Sequence, residues 1–190
     1  MVSKKAKAKE WFSIIAPKKF DNIEIGKTLT SDSEQLIGRK IAVSLMELTN
    51  NFSKFYMKFY FKISKIDGNK AYTDFVSSEC MRDYISRMVT KRIRRVDTVQ
   101  NLVTKDGAKI RVKSLAIIPR RIKSSIQKVI RAKINEIIKK QVESTTLDDI
   151  IENVMNDQTK KQVLRETRRA YPIRNFEIRK IEVSSQAKTE

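Results

Sequence analysis

Phe55, Met57, Phe59, Phe61 and Ile63 alternate with Tyr56, Lys58, Tyr60 and Lys62, and this run constrains the 190-residue chain more than any other feature. Period-two patterning sustained over nine residues commits the segment to a strand with one buried face, since a slip of one residue would turn five large apolar side chains to water. Asp67-Gly68 follows as a turn, so Phe55 to Val76 is predicted to form a hairpin. A second hairpin is predicted over Val96 to Ile118, turning at Lys105-Asp106-Gly107, where glycine reaches positive φ without a Cβ penalty. Ile41, Val43 and Leu45, extended by Leu48, suggest an earlier strand, and Ile173 to Val183 a last one.

Helical patterns replace alternation in four places. Met81, Tyr84, Ile85, Met88 and Val89 predict a helix from Met81 to Arg92, with Arg87, Lys91 and, one turn further, Arg94 on its far side. Ile122, Ile126, Val129, Ile130, Ile134, Ile137 and Ile138 form one stripe of a long helix ending near Val142. Thr146 to Met155 and Gln158 to Ala170 read as shorter helices. Thr145 and Thr146 serve as hydroxyl caps, with Asp148, Asp149 and Glu152 as first-turn acids. The expected class is α+β: two β-hairpins and further strands in a mixed sheet or partly closed barrel, packed with a long amphipathic helix and shorter helices. One domain is expected over residues 11–183, with a basic flexible tail at 1–10 and a short C-terminal tail at 184–190.

Charge narrows the function. Residues 81–140 hold 18 of the 41 Lys and Arg but only 4 of the 22 Asp and Glu, so an excess of 14 positive charges sits in one stretch. Concentrated charge at this density is the footprint of a polyanion binder, because each neutralised phosphate releases condensed counterions. Residues 141–190 carry 9 basic and 9 acidic side chains and are expected to complete the fold or meet protein neighbours. The longest uncharged runs, Trp11–Pro17 and Thr98–Thr104, are 7 residues, against the roughly 20 apolar residues that span a bilayer, so no membrane segment is expected. The Lys-rich start has no apolar stretch behind it, which does not suggest secretion. A chain without His and with the single Cys80 cannot build a zinc finger or use His-based acid–base chemistry. Cys80 reads as a small buried residue. Gly26, Gly38, Gly68 and Gly107 are too far apart for a phosphate-binding loop, so no cofactor and no enzymatic activity are expected.

Several cation groups are candidate RNA contacts. The first is the dense cluster Arg87, Lys91, Arg92, Arg94 and Arg95 at the end of the predicted helix. Lys109, Arg111 and Lys113 form the second, about 7 Å from one to the next on one strand face, close to the phosphate repeat of an extended strand. Arg120 and Arg121 precede the long helix, whose polar side carries Lys128 and Arg131. The face Tyr56, Lys58, Tyr60 and Lys62 has two readings: rings and ammonium groups laid along RNA, or the ordinary composition of an exposed strand. Trp11 is expected to pack into the core or onto a partner protein rather than stack on a base.

The order of short blocks also matches a family. Trp11 with Ala16-Pro17 and Ile25-Gly26-Lys27-Thr28 comes first, then Gly38-Arg39 before Val43-Ser44-Leu45. Thr104-Lys105-Asp106-Gly107 before Arg111-Val112 follows, and Tyr171-Pro172-Ile173-Arg174 lies near the end. Over residues 10–183 this closely resembles the e-type S-one, or S-three-Ae, family of ribosomal proteins of archaea and eukaryotes. The resemblance implies a non-enzymatic component of the small-subunit platform in the cytoplasm, binding small-subunit rRNA near its 3′ end. Platform ribosomal proteins would be its neighbours, with mRNA nearby and no homo-oligomer. The stretch Arg87 to Arg95 keeps the family's basic character in a divergent spelling, and the short C-terminal tail favours an archaeal origin. Two rivals share the composition: a free RNA chaperone or translational repressor, and a magnesium nuclease using Asp148 and Asp149.

Overall fold

The computed structural model describes residues 8–168 and 171–185, with eight strands and five α-helices in an α+β arrangement. Two compact units divide between Ser77 and Ser78.

In the first unit, β1 (Glu10–Ile15) and β2 (Glu24–Thr30) pair antiparallel, and β1 also runs parallel to β5 (Lys70–Cys80) through Ser13–Ile15. The strand β4 (Met57–Asp67) pairs with β5 on one edge and antiparallel with β3 (Lys40–Ser44) on the other, so the hydrogen-bonded order is β2–β1–β5–β4–β3. The alternation acts as expected from Met57 onward: Met57, Phe59, Phe61 and Ile63 are buried while Lys58 and Lys62 are exposed. Phe20, Phe59, Phe61 and Phe75 interlock edge to face, with centroids 5.4–6.5 Å apart. That geometry sets each ring's positive edge against its neighbour's negative face. Gly68 opens the two-residue turn to β5 at φ +54°.

Four expectations in this unit change. The hairpin begins at Met57 rather than Phe55, because a 3-10 turn over Phe52–Lys54, capped by the Asn51 side chain, absorbs the preceding residues. Tyr56 therefore lies outside the strand and is buried, and Phe55 is exposed, the reverse of the extrapolated alternation. The strand at Ile41 stops at Ser44, and Leu45 and Leu48 are the buried face of the short helix α1 (Leu45–Thr49). Glu10 already belongs to β1, where Phe12 and Ile14 point inward and Trp11 is 61% exposed, so Trp11 is not a core residue. Of the expected basic tail, residues 1–7 lie outside the described residues, as do residues 186–190 of the expected C-terminal tail.

The second unit is built on a three-stranded antiparallel arrangement, β6 (Arg94–Val103), β7 (Lys109–Ile118) and β8 (Asn175–Ser185). The 104–108 turn closes with Thr104 N–H donating to Ala108 O and Gly107 at φ +79°. The helix α3 (Ser124–Ser144) lies on β6, where Gln100 Nε2 donates to Asn135 Oδ1 at 2.7 Å. Ile130, Ile134, Ile137, Ile138 and Val142 are its buried stripe. Val129 is 60% exposed because it sits about 100° around the helix from Ile130, beyond the stripe's edge, and Ile122 precedes the first turn. Next come α4 (Leu147–Met155) and α5 (Gln158–Thr167); α5 packs on α3, α4 and β8. The capping expected at Thr146 is a full capping box with Asp149, and the Asp106 carboxylate accepts from Leu147 N–H at 3.0 Å, joining the β6–β7 turn to the same helix start. Residues 169–170, expected to finish the last helix, lie outside the described residues.

Candidate nucleic-acid interface

The helix carrying the first cation group is shorter than its periodicity suggests. The helix α2 (Arg82–Met88) ends where Val89 takes φ −96°, ψ 90°, and Arg92 then adopts φ +67°. Two causes combine. Val89-Thr90 are β-branched and resist continuing the helix, and Arg94 is claimed by strand pairing opposite Ile118. The predicted row Arg87, Lys91 and Arg94 is therefore not one helical face. Arg87 is in the last turn of α2, Lys91 and Arg92 are on the link, and Arg94 starts β6, all four exposed. Of the stripe opposite, only Ile85 is buried. Arg95 is committed internally, with Nη2 at 2.8 Å and Nε at 2.9 Å from Asp97 Oδ1.

Lys109, Arg111 and Lys113 share one face of β7, as alternation requires, and Ile110 and Val112 are buried behind them. The neighbours across the sheet divide the row. Lys113 Nζ lies 3.0 Å from Glu182 Oε2, and Lys180 Nζ lies 2.9 Å from Glu182 Oε1 and 3.7 Å from Glu79. Hydrogen bonds from Lys180 and then Lys113 hold the Glu182 carboxyl below its ordinary pKa, so it stays charged and half-neutralises both lysines. Lys109 and Arg111, exposed, have no partner among the described residues.

Arg120 and Arg121 are exposed on the β7–α3 link, and Lys128 is exposed on α3. Arg131 is also exposed, but its Nε donates to Asp97 O at 3.1 Å, which lays the guanidinium against β6. Asp97 thus tethers two of the expected RNA contacts, Arg95 through its carboxylate and Arg131 through its carbonyl. In the first unit, Lys58, Tyr60 and Lys62 lie opposite Ser44, Ala42 and Lys40; the two lysines are exposed and Tyr60 is half-buried. Tyr56 does not join that face. Its ring meets Phe55 edge-on at 6.0 Å.

Sequence reasoning missed Glu182, Lys180 and Asp97, the residues that decide which cations are free. Their signal is cross-strand register, which composition does not carry. Cys80 is buried as expected, its thiol pushed up to about 12 by burial and then by Glu177, so it stays neutral. Among the described residues no helix is long and apolar enough to cross a membrane.

A profile of the Ribosomal S3Ae family matches residues 1–187 of the chain. A Methanopyrus kandleri protein named small ribosomal subunit protein eS1 is 37% identical over 187 residues, covering 96% of this chain and 89% of the relative. A Saccharolobus islandicus protein of the same name is 36% identical over 182 residues, covering 96% and 88%.

Proposed function

Because this chain belongs to the Ribosomal S3Ae family, we propose that it is a structural constituent of the small ribosomal subunit, binding small-subunit rRNA on the platform near the mRNA exit. Residues 11–183 act as one rRNA-binding domain, and the rRNA near its 3′ end is the nucleic-acid partner, with neighbouring platform proteins alongside. The protein works in the cytoplasm within the ribosome, in a structural rather than enzymatic role.

The observation that carries this reading is the excess of 14 positive charges in residues 81–140 on a chain matched by the family over nearly its whole length. Its free members, Arg87, Lys91, Arg92, Arg94, Lys109, Arg111, Arg120, Arg121 and Lys128, are exposed side chains without acidic partners among the described residues. Arg95, Lys113 and Arg131 contribute as partly compensated cations that shape the surface. Lys58, Tyr60 and Lys62 remain a second RNA-facing candidate, and Trp11, exposed, suits a protein neighbour.

Sucrose-gradient fractionation of native lysate tests the reading. The protein is expected in the small-subunit peak at physiological salt. Sedimentation as a free protein would refute it in favour of a chaperone or repressor.

A further inference from the structure

A cleft of about 370 Å³ in the second unit is lined by Glu79, Cys80, Arg82, Ile85, Ser86, Arg95 and Arg179. That volume is near the lower end of the roughly 300–1,000 Å³ typical of small-ligand sites. Three guanidinium groups from three different elements border it. Arg82 and Ser86 are four residues apart and so share one face of α2, Arg95 comes from β6, and Arg179 from β8.

Arg179 is there because the sheet makes an exception for it. On β7, Lys113 pairs with Lys180 and the next residue, Ser114, with Ile178. One step on β7 thus spans two on β8, and Arg179 is the extra, unpaired residue of a β-bulge. Bulges re-aim a side chain relative to the regular pleat. The helix is fixed relative to that strand: Tyr84 Oη donates to Glu177 Oε1 at 3.2 Å, and Lys160 binds the same carboxylate oxygen. Arg82 and Arg179 are thereby held on a common frame.

The charges favour an anion. Arg82 and Arg179 have no partner among the described residues, whereas Arg95 is held by Asp97 and retains its remaining donors. The one acid in the cleft, Glu79, faces Lys180 at 3.7 Å. The Cys80 thiol is neutral and adds no negative charge. Guanidinium forks match phosphate oxygens in pairs of parallel hydrogen bonds, which an ammonium cannot do.

We propose that this cleft is a built site for a phosphodiester of an RNA strand, gripped by the Arg82 and Arg179 forks with Arg95 and the Ser86 hydroxyl at its wall. The proposal rests on the RNA-binding reading above and adds to the contacts named there Arg82, from the start of the basic stretch, and Arg179, which lies outside it.

The test is fluorescence anisotropy of the full chain with a labelled single-stranded RNA dodecamer at physiological ionic strength, with thermal melts as folding controls. Arg179→Gln and Arg82→Gln should each weaken binding by about tenfold, the scale of a lost charged hydrogen-bond pair. Arg179→Lys keeps the charge but loses the fork and should stay several-fold weak. Inorganic phosphate, as a competitor, should displace the RNA less from Arg179→Gln than from wild type if the cleft takes phosphate. Wild-type affinity in Arg179→Lys would show diffuse charge only and overturn the site. Wild-type affinity in both Gln variants, with loss in Arg120→Gln/Arg121→Gln, would also overturn it while leaving the ribosomal reading intact. A wild-type chain that neither binds RNA nor enters subunits would overturn that reading itself.

Discussion

Replacing Glu182 by Gln removes the one carboxylate that holds both Lys113, at 3.0 Å, and Lys180, at 2.9 Å. These lysines are directly opposite each other across β7 and β8, so without the acid two like charges face one another in a cross-strand pair. All three side chains are 23–33% exposed, so solvent screens the loss. Two partly exposed ion pairs contribute roughly 0.2–1 kcal/mol each, and the unmasked repulsion is of similar size, giving a destabilisation of about 1 kcal/mol. For a chain of this length that is a Tm decrease of about 2–4 °C. RNA affinity should move the other way. Lys113, whose ion pair is with Glu182, can then neutralise one further phosphate, while Lys180 keeps Glu79 at 3.7 Å; the slope of log affinity against log salt should steepen by up to about 0.7 for single strands and 0.9 for duplex. The sign of the pH effect follows from the lowered carboxyl. The Glu182 contribution is fully present above its unfolded pKa and is lost as pH falls through the lower folded value, so the variant's deficit should vanish in acid. Filter binding over a salt series, with melts at several pH values, reads all three. A Glu182→Gln protein with weaker RNA binding and an unchanged slope would refute the view that this carboxylate masks phosphate-binding cations.

Three further outcomes are expected. Ile130→Ala, at a site 2% exposed, should cost about 2–5 kcal/mol in urea unfolding, whereas Val129→Ala, 60% exposed, should stay within about 0.5 kcal/mol. Thr146→Ala removes the capping-box hydroxyl and should cost about 1 kcal/mol, with the loss confined to the α4 amides in hydrogen exchange. Cys80, buried and with its thiol at about 12, should resist a thiol reagent at pH 8 until denaturant opens the fold; prompt native-state labelling would show that the end of β5 is accessible.

The sequence alone determined the elements whose signal is local and repeated. The alternation from Met57 to Ile63, the glycine turns at Gly68 and Gly107, the phase of the stripe from Ile130 to Ile138 and the hydroxyl cap at Thr146 each follow from side-chain spacing or from φ that only certain residues tolerate. The concentration of charge in residues 81–140 was equally legible. The tertiary structure decided where weak local signals compete. Val89 and Arg94 fit a helix by spacing, yet strand pairing with Ile118 takes Arg94 and ends α2 six residues earlier. Phe55 fits the alternation, yet a capped turn removes it from β4. The availability of each cation is likewise nonlocal. Lys113 is masked by a residue 69 positions away, Arg131 lies on the carbonyl of Asp97, and Arg179 reaches the cleft only because a bulge breaks the register of β8. Period and propensity act over a few bonds, whereas register and ion pairing join residues that meet only after the strands have paired.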